Sequence, residues 1–358
     1  MLTQHPTLLI GPSDWDAERM PKAEFDRRIA ALWAAFPDAS QAIVFGSASR
    51  HAELAYLTNF VPKLEPGIAL LTRDGAHKLL FGGGPNMAGA MKPLTFIADM
   101  APLNALAKSI AGWKPLLIGG GHMSTVMRKA IDDATGNAAQ DASARVRAMM
   151  RRKSAAELAA IREACATLAA AMAAIRDAGD ASVTVAILAG EKAAIAAGAQ
   201  DVRTLFSLDG GRTLRPFETL DDRRADPLQV YVAVRRLNYW AEGFASFSNR
   251  AQPAASLAAL LLENALSAIA PGVATAQIPK ILAVGDPYRC HPVTQDAPAV
   301  PLGLGLDAAS ADGAAFDAGE VYSVRCGLTD GSGQHAIVSA MVAVQDGGND
   351  VLWRSGIA

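Results

Sequence analysis

Residues 319–344 hold two long apolar runs, "GEVYSVRCGL" and "QHAIVSAMVAV", separated only by the turn-rich "TDGSG". Two β-forming runs joined by so short a turn pair with each other as an antiparallel hairpin. The first run carries Arg325, whose guanidinium is always charged and costs several kcal/mol if left unpaired in an apolar setting. Centring the turn on Gly331 puts the odd-numbered residues of both strands on one face. That face then holds Ser323 and Arg325 opposite Ile337 and Ser339, with His335 nearby. On an inner sheet face such polar groups need one another or a ligand, whereas on an outer face water satisfies them.

The first part of the chain alternates helix and strand. "KAEFDRRIAALWAAF" places Phe25, Ile29, Leu32, Trp33 and Phe36 on one helical face. "QAIVFGS" reads as a buried strand, and "GIALLTRDGAHKLLF" as two strands about the Asp74-Gly75 turn. "LTFIADM" and "KPLLIGGG" are further strand candidates. This order predicts a small α/β domain over residues 1–143. Beyond it, Ser154 with Glu157 three residues on makes a capping box, opening a long helix to about Asp177. A second helix starts at Asp180-Ala181-Ser182. The strand-like runs "VRTLFSLDG", "LQVYVAVRRL" and "YWAEGFASF" come next, then two helical stretches near 253–270 and 275–284. Residues 144–358 therefore read as α+β.

Composition narrows the function. The net charge is −2 with both signs interspersed, which gives no pull toward nucleic acid or an anionic membrane. Cys165, Cys290 and Cys326 are odd in number and far apart, as expected of reduced thiols in a cytoplasmic protein. The N-terminus shows no basic n-region before an apolar stretch, so no signal peptide is expected. The alanine-rich apolar runs are interrupted by polar residues, and none is expected to span a bilayer.

The glycine-rich "GGGPN" (82–86) and "GGGH" (119–122) match no phosphate-binding pattern and read as tight turns. Cys290-His291 reads as a buried thiol beside a loop histidine. The more informative cluster is "YVAVRRLNYWAEGFASF", which sets Arg235, Arg236 and Glu242 among Tyr231, Tyr239, Trp240 and other apolar residues. A carboxylate among bulky rings is placed either for acid–base work or for an ion pair with an arginine.

Four stretches then carry a resemblance over about residues 22–353. "HAELAYLTNF…GIALLTRDG", "RVRAMMRRKSAAELAAIREAC", "GEVYSVRCGL" and "VSAMVAVQDGG" resemble, in order, motifs of the creatinase, aminopeptidase P and prolidase (M24 metallopeptidase-like) family. The resemblance implies a pita-bread C-terminal domain after a creatinase-type N-terminal domain. Family members hold two metal ions with two aspartates, a histidine and two glutamates. By resemblance these positions fall on or near Tyr231, Glu242, Leu302, Arg325 and Ser339, so one carboxylate survives. A further family histidine falls at Pro216 or Phe217. The implied site holds no metal and needs no cofactor, because an arginine repels the dication it replaces; Arg325 is expected to pair with Glu242.

The function expected on this footing is a metal-independent hydrolase or lyase acting on a C–N bond of a small amide, amidine or amino-acid derivative. Glu242 and His335 would carry protons, with Arg325 beside them. Arg235, Arg212, Tyr231, Ser339, Tyr239, Tyr56 and Lys63 would bind substrate. One alternative is an inactive pseudopeptidase that binds a peptide or small anion, as the family's histone chaperones suggest. The other is an Xaa-Pro metallopeptidase whose ligands come from Asp286, Asp296, Asp307, His291 and Glu320. The resemblance also implies a homodimer in which His51, Tyr56, Lys63 or Glu65 reaches the neighbouring subunit's cleft.

Overall fold

The computed structural model describes residues 14–63, 65–82, 87–179, 181–216, 223–295, 297–306 and 315–356. They form two compact units, one ending at Met150 and the other beginning at Arg151. The expected boundary at 143/144 instead falls at the start of a helix that runs on to Arg151.

In the first unit, helices α1 (Lys22–Ala35), α2 (Ala52–Thr58), α3 (Ala88–Met91), α4 (Leu106–Ser109), α5 (Thr125–Thr135) and α6 (Ser143–Arg151) surround one mixed sheet. Its strands are β1 (Gln41–Gly46), β2 (Gly67–Thr72), β3 (Lys78–Phe81), β4 (Asp99–Pro102), β5 (Leu116–Ile118) and β6 (Gln140–Asp141), in the order β4-β3-β2-β1-β5-β6. Period-two alternation sends Ile43, Phe45, Ile68, Leu70 and Leu80 to one face, where Leu106, Ile110 and Ile131 cover them. The strand expected at "LTFIADM" forms later, at β4. Leu94 instead ends a short 3-10 turn, and only Asp99 and Met100 of that run pair with β3.

The second unit opens with α7 (Ala155–Asp177), capped by reciprocal bonds between Ser154 and Glu157 at 3.0 and 3.2 Å. Length and composition alone would let α7 cross a bilayer, contrary to the sequence expectation. Instead its stripe of Ile161, Ala164, Leu168, Ala171 and Ile175 is buried, and the helix packs on the sheet. Helix α8 (Val183–Ala196) lies beside it. The antiparallel sheet beneath is β7 (Asp201–Phe206), β8 (Leu228–Arg236) and β9 (Tyr239–Phe247).

After α9 (Pro253–Ala268) and α10 (Gln277–Ile281) come β10 (Arg289–Cys290), α11 (Pro292–Gln295), β11 (Ala299–Pro301), β12 (Val321–Thr329), β13 (His335–Gln345) and β14 (Gly348–Arg354). Strands run β10-β12-β13-β14, with β11 also on β12. Even-numbered residues Tyr322, Val324, Cys326, Val338, Ala340 and Val342 pack under α9. The odd-numbered face is therefore turned away from that core, as the hairpin pattern predicts. The pairing itself is shifted: Arg325 stands opposite Ser339 and Ser323 opposite Met341. Asp330 explains the shift, because its Oδ1 accepts N–H groups from Ser332 and Gln334 at 2.9 and 3.0 Å. This widens the turn by two residues and keeps strand parity.

The two sheets meet at β9 and β13 through serine hydroxyls. Phe244 N donates to Ser339 Oγ at 2.7 Å, and Ile337 N donates to Ser246 Oγ at 3.0 Å. With α7 and α8 behind one sheet and α9 behind the other, the front faces form a continuous surface.

Candidate ligand site

Strand register assembles the site. Across β8 and β9, Tyr231 faces Phe244, Ala233 faces Glu242 and Arg235 faces Trp240; on β7, Arg203 faces Ala233. The small Ala233 leaves room above it. Tyr231 Oη donates to Glu242 Oε2 at 2.7 Å. Arg325 crosses from the other sheet and donates Nε to Glu242 Oε1 at 3.1 Å, with Nη2 on the same oxygen. Both oxygens of the buried Glu242 are thus engaged.

Each arginine lies against a ring. Arg325 lies 5.3 Å from the Phe244 ring centre, while Arg203 and Arg235 lie 4.7 and 5.6 Å from that of Trp240. Burial lowers Arg235 from its ordinary range, opposed by the Asp201 carboxylate. Burial, then the Glu242 charge, pushes the Tyr231 phenol well above its usual value. Three guanidiniums stand against the carboxylates of Asp201 and Glu242, leaving one positive charge in excess. Arg203 keeps half its side chain exposed, and Arg325 keeps its Nη1 edge free of protein acceptors among the described residues.

The positions that the resemblance assigns to metal ligands therefore gather at one place, except Leu302, which pairs with Val321 through its backbone. They do not fit a dinuclear centre. A neutral phenol, a cation and a hydrocarbon replace three ligands, and the Ser339 hydroxyl is taken by the β9 backbone. The substitute ligands do not gather either. Glu320 is bonded to Tyr322 Oη at 2.6 Å and paired with Arg151, His291 Nε2 meets Gly211 O at 2.9 Å, and Asp286 is exposed. Asp296, Asp307 and Phe217, like most of "GGGPN", lie outside the described residues. Among the described residues no three of His, Cys, Asp or Glu are grouped to hold a metal ion.

Other expected site residues lie elsewhere. Tyr239 is on the opposite face of β9, with its hydroxyl 3.0 Å from Glu157 of α7. It differs from Glu242 by an odd number of positions, so strand parity excludes it from the same face. Tyr56 is buried in the first unit with the Arg28 guanidinium 4.4 Å above its ring, and His51 is buried too, so neither is free to reach a ligand or a neighbouring subunit. Lys63 is half-buried and Glu65 exposed in that unit.

His335 sits at the turn end of β13, with Nδ1 2.7 Å from Thr329 Oγ1 and its ring 5.1 Å from that of His291. Burial lowers the pKa of both histidines, and the exposed Arg212 lowers His335 further. Four strand residues, about 13 Å, separate His335 from the level of Arg325. Arg203 and Asp201 were missed by sequence reading. Their signal was charge at alternate positions of a strand that pairs with β8.

The fold has clear counterparts among solved structures. X-Pro aminopeptidase from Thermotoga maritima is 15% identical with a TM-score of 0.75, covering 93% of this chain and 99% of that one. Prolidase from Pyrococcus horikoshii is 13% identical at 0.74 with the same coverage, and a variant of Escherichia coli aminopeptidase P is 15% identical at 0.72, covering 92% and 94%. This chain has the pita-bread fold of those peptidases. At such identity the likeness concerns the fold alone, and the resemblance read from the sequence holds at that level. No family model and no curated protein matches the sequence.

Proposed function

We propose that the pita-bread face binds a small carboxylate-bearing ligand, an amino-acid derivative or short peptide, without a dinuclear metal centre. The observation that carries this reading is the Arg325–Glu242–Tyr231 cluster. It occupies positions that the family resemblance assigns to metal-binding carboxylates, and it leaves one positive charge over. A ligand carboxylate between Arg203 and Arg325 would balance that charge, and the neighbouring rings would take its apolar part. Binding is a simpler account than the metal-independent hydrolase or lyase. That chemistry needs Glu242 and His335 at one ligand, and His335 stands at the turn end of the hairpin, about 13 Å along the strand from the level of Arg325, where Glu242 pairs. One feature still favours catalysis: burial, then the Arg212 charge, lowers the His335 pKa, which favours the neutral imidazole that a base requires. Cytoplasmic residence, suggested by three free thiols, and a homodimer remain parts of this proposal.

Calorimetric titration with N-acetylproline and with glycylproline tests it. At least one should bind, its amide counterpart should bind about 10-fold or more weakly, and Arg203→Ala should weaken binding to a similar degree. Equal binding of acid and amide would defeat the reading. Turnover of either compound that depends on both Glu242 and His335 would restore the hydrolase.

A further inference from the structure

A hollow of about 360 Å3 lies on the other side of the second unit, between α7 and the end of β14. It is unrelated to the Arg325 cluster. Ala169 and Ala173 of α7 and Ala245 of β9 are too small to fill the space between helix and sheet. Trp353 stands beside them, packed so closely on Gly243 that a Cβ there would come within 2.3 Å of its ring. Met172 and Phe247 complete an apolar slot. Arg176 and Arg354 flank it, and both are exposed.

Each guanidinium spends part of its donor set on a neighbouring carboxylate. Arg176 gives Nε to Asp177 at 3.0 Å, and Arg354 gives Nη1 to Glu263. That leaves both Nη groups of Arg176, and Nη2 of Arg354, without a protein acceptor among the described residues. An apolar slot flanked by two donor edges of one sign selects a flat or branched hydrocarbon body ending in an anion.

We propose that this hollow is a second binding site, for a small amphipathic monocarboxylate of the arylacetate kind. The ring lies between the α7 alanines and Trp353, and the carboxylate meets Arg176 and Arg354. The volume admits one ring and its side chain with room to spare. The site differs from the pita-bread face in chemistry, because its walls are hydrocarbon and its charge is confined to the rim.

Methyl-labelled methionine NMR reads the site directly, with the Met172 signal assigned through Met172→Leu. Phenylacetate added to the full chain should move that signal saturably. Ala173→Phe, which fills the slot, should abolish the shift. Arg176→Gln, a surface change that leaves the core intact, should weaken binding about tenfold. The proposal is overturned if the Met172 signal stays still at millimolar phenylacetate, if neutral phenylacetamide moves it equally, or if Ala173→Phe leaves the shift unchanged.

Discussion

The buried carboxylate of Glu242 is tolerated because two donors from different strands meet it. Removing one partner of such a pair costs more than the pair contributes, since the other charge is left buried. Arg325→Ala should therefore destabilise the second unit by about 3–5 kcal/mol in urea unfolding. The double change Arg325→Met with Glu242→Leu should recover most of that loss, because matched apolar groups leave nothing charged behind. If the double variant were as unstable as the single one, packing rather than charge would be the reason Arg325 is kept. The pairing was legible from the sequence because a strand arginine demands a partner and Glu242 was the surviving carboxylate. The contribution of Tyr231 as a donor was not, since it depends on register across β8 and β9.

At the scale of elements, long periodic segments were legible and short ones were not. The capping box fixed the start of α7, and alternation with a turn fixed β12 and β13 as a hairpin. Strands β10 and β11 have two and three residues, too few to show any period. β14 shows no clear strand pattern because Gly348, Asn349 and Asp350 open it, and its pairing is interrupted by a shift at Met341/Val342. Turn chemistry also decided what surrounds His335. Gly211, at φ +95°, approaches so closely that a Cβ would fall 2.2 Å from the Gln229 amide, and its carbonyl takes the His291 imidazole. Burial lowers the His291 pKa below its ordinary value, so the unfolded chain binds this proton more readily than the folded one. Stability tied to this group is complete above about pH 6.5 and is lost as pH falls from there toward the lowered folded value. Urea midpoints should drop between pH 7.5 and 5.5, and His291→Gln should flatten that drop. His335, lowered in the same direction and facing Arg212, Asp209 and Asp330, should contribute a smaller share because it is less buried. A slope unchanged by His291→Gln would place the pH sensitivity elsewhere.

At the scale of the whole molecule, the fold persists at identities of 13–15% to solved peptidases, so it tolerates the exchange of most side chains. Layers and register are set by apolar periodicity, which many sequences satisfy; a metal site is set by a handful of carboxylates, which single substitutions remove. The two are separable, and metal response shows which was kept. A ligand that binds only the folded state raises stability by about 4 kcal/mol at a thousandfold excess over its dissociation constant. For a unit of this size that is a shift of roughly 8–16 °C in Tm. A working dinuclear centre would thus announce itself when manganese, cobalt or zinc is added at millimolar concentration, and again when a chelator removes it. The Arg325 guanidinium opposes any dication beside Glu242, so both treatments should leave Tm within about 1 °C of the untreated protein. Arg325→Glu supplies the contrasting case: it exchanges the opposing cation for a carboxylate beside Glu242, two anions that a dication would bring to rest. Its Tm should fall without metal and recover on adding manganese. A wild-type protein stabilised by several degrees, with two ions bound per chain, would return the site to metal chemistry.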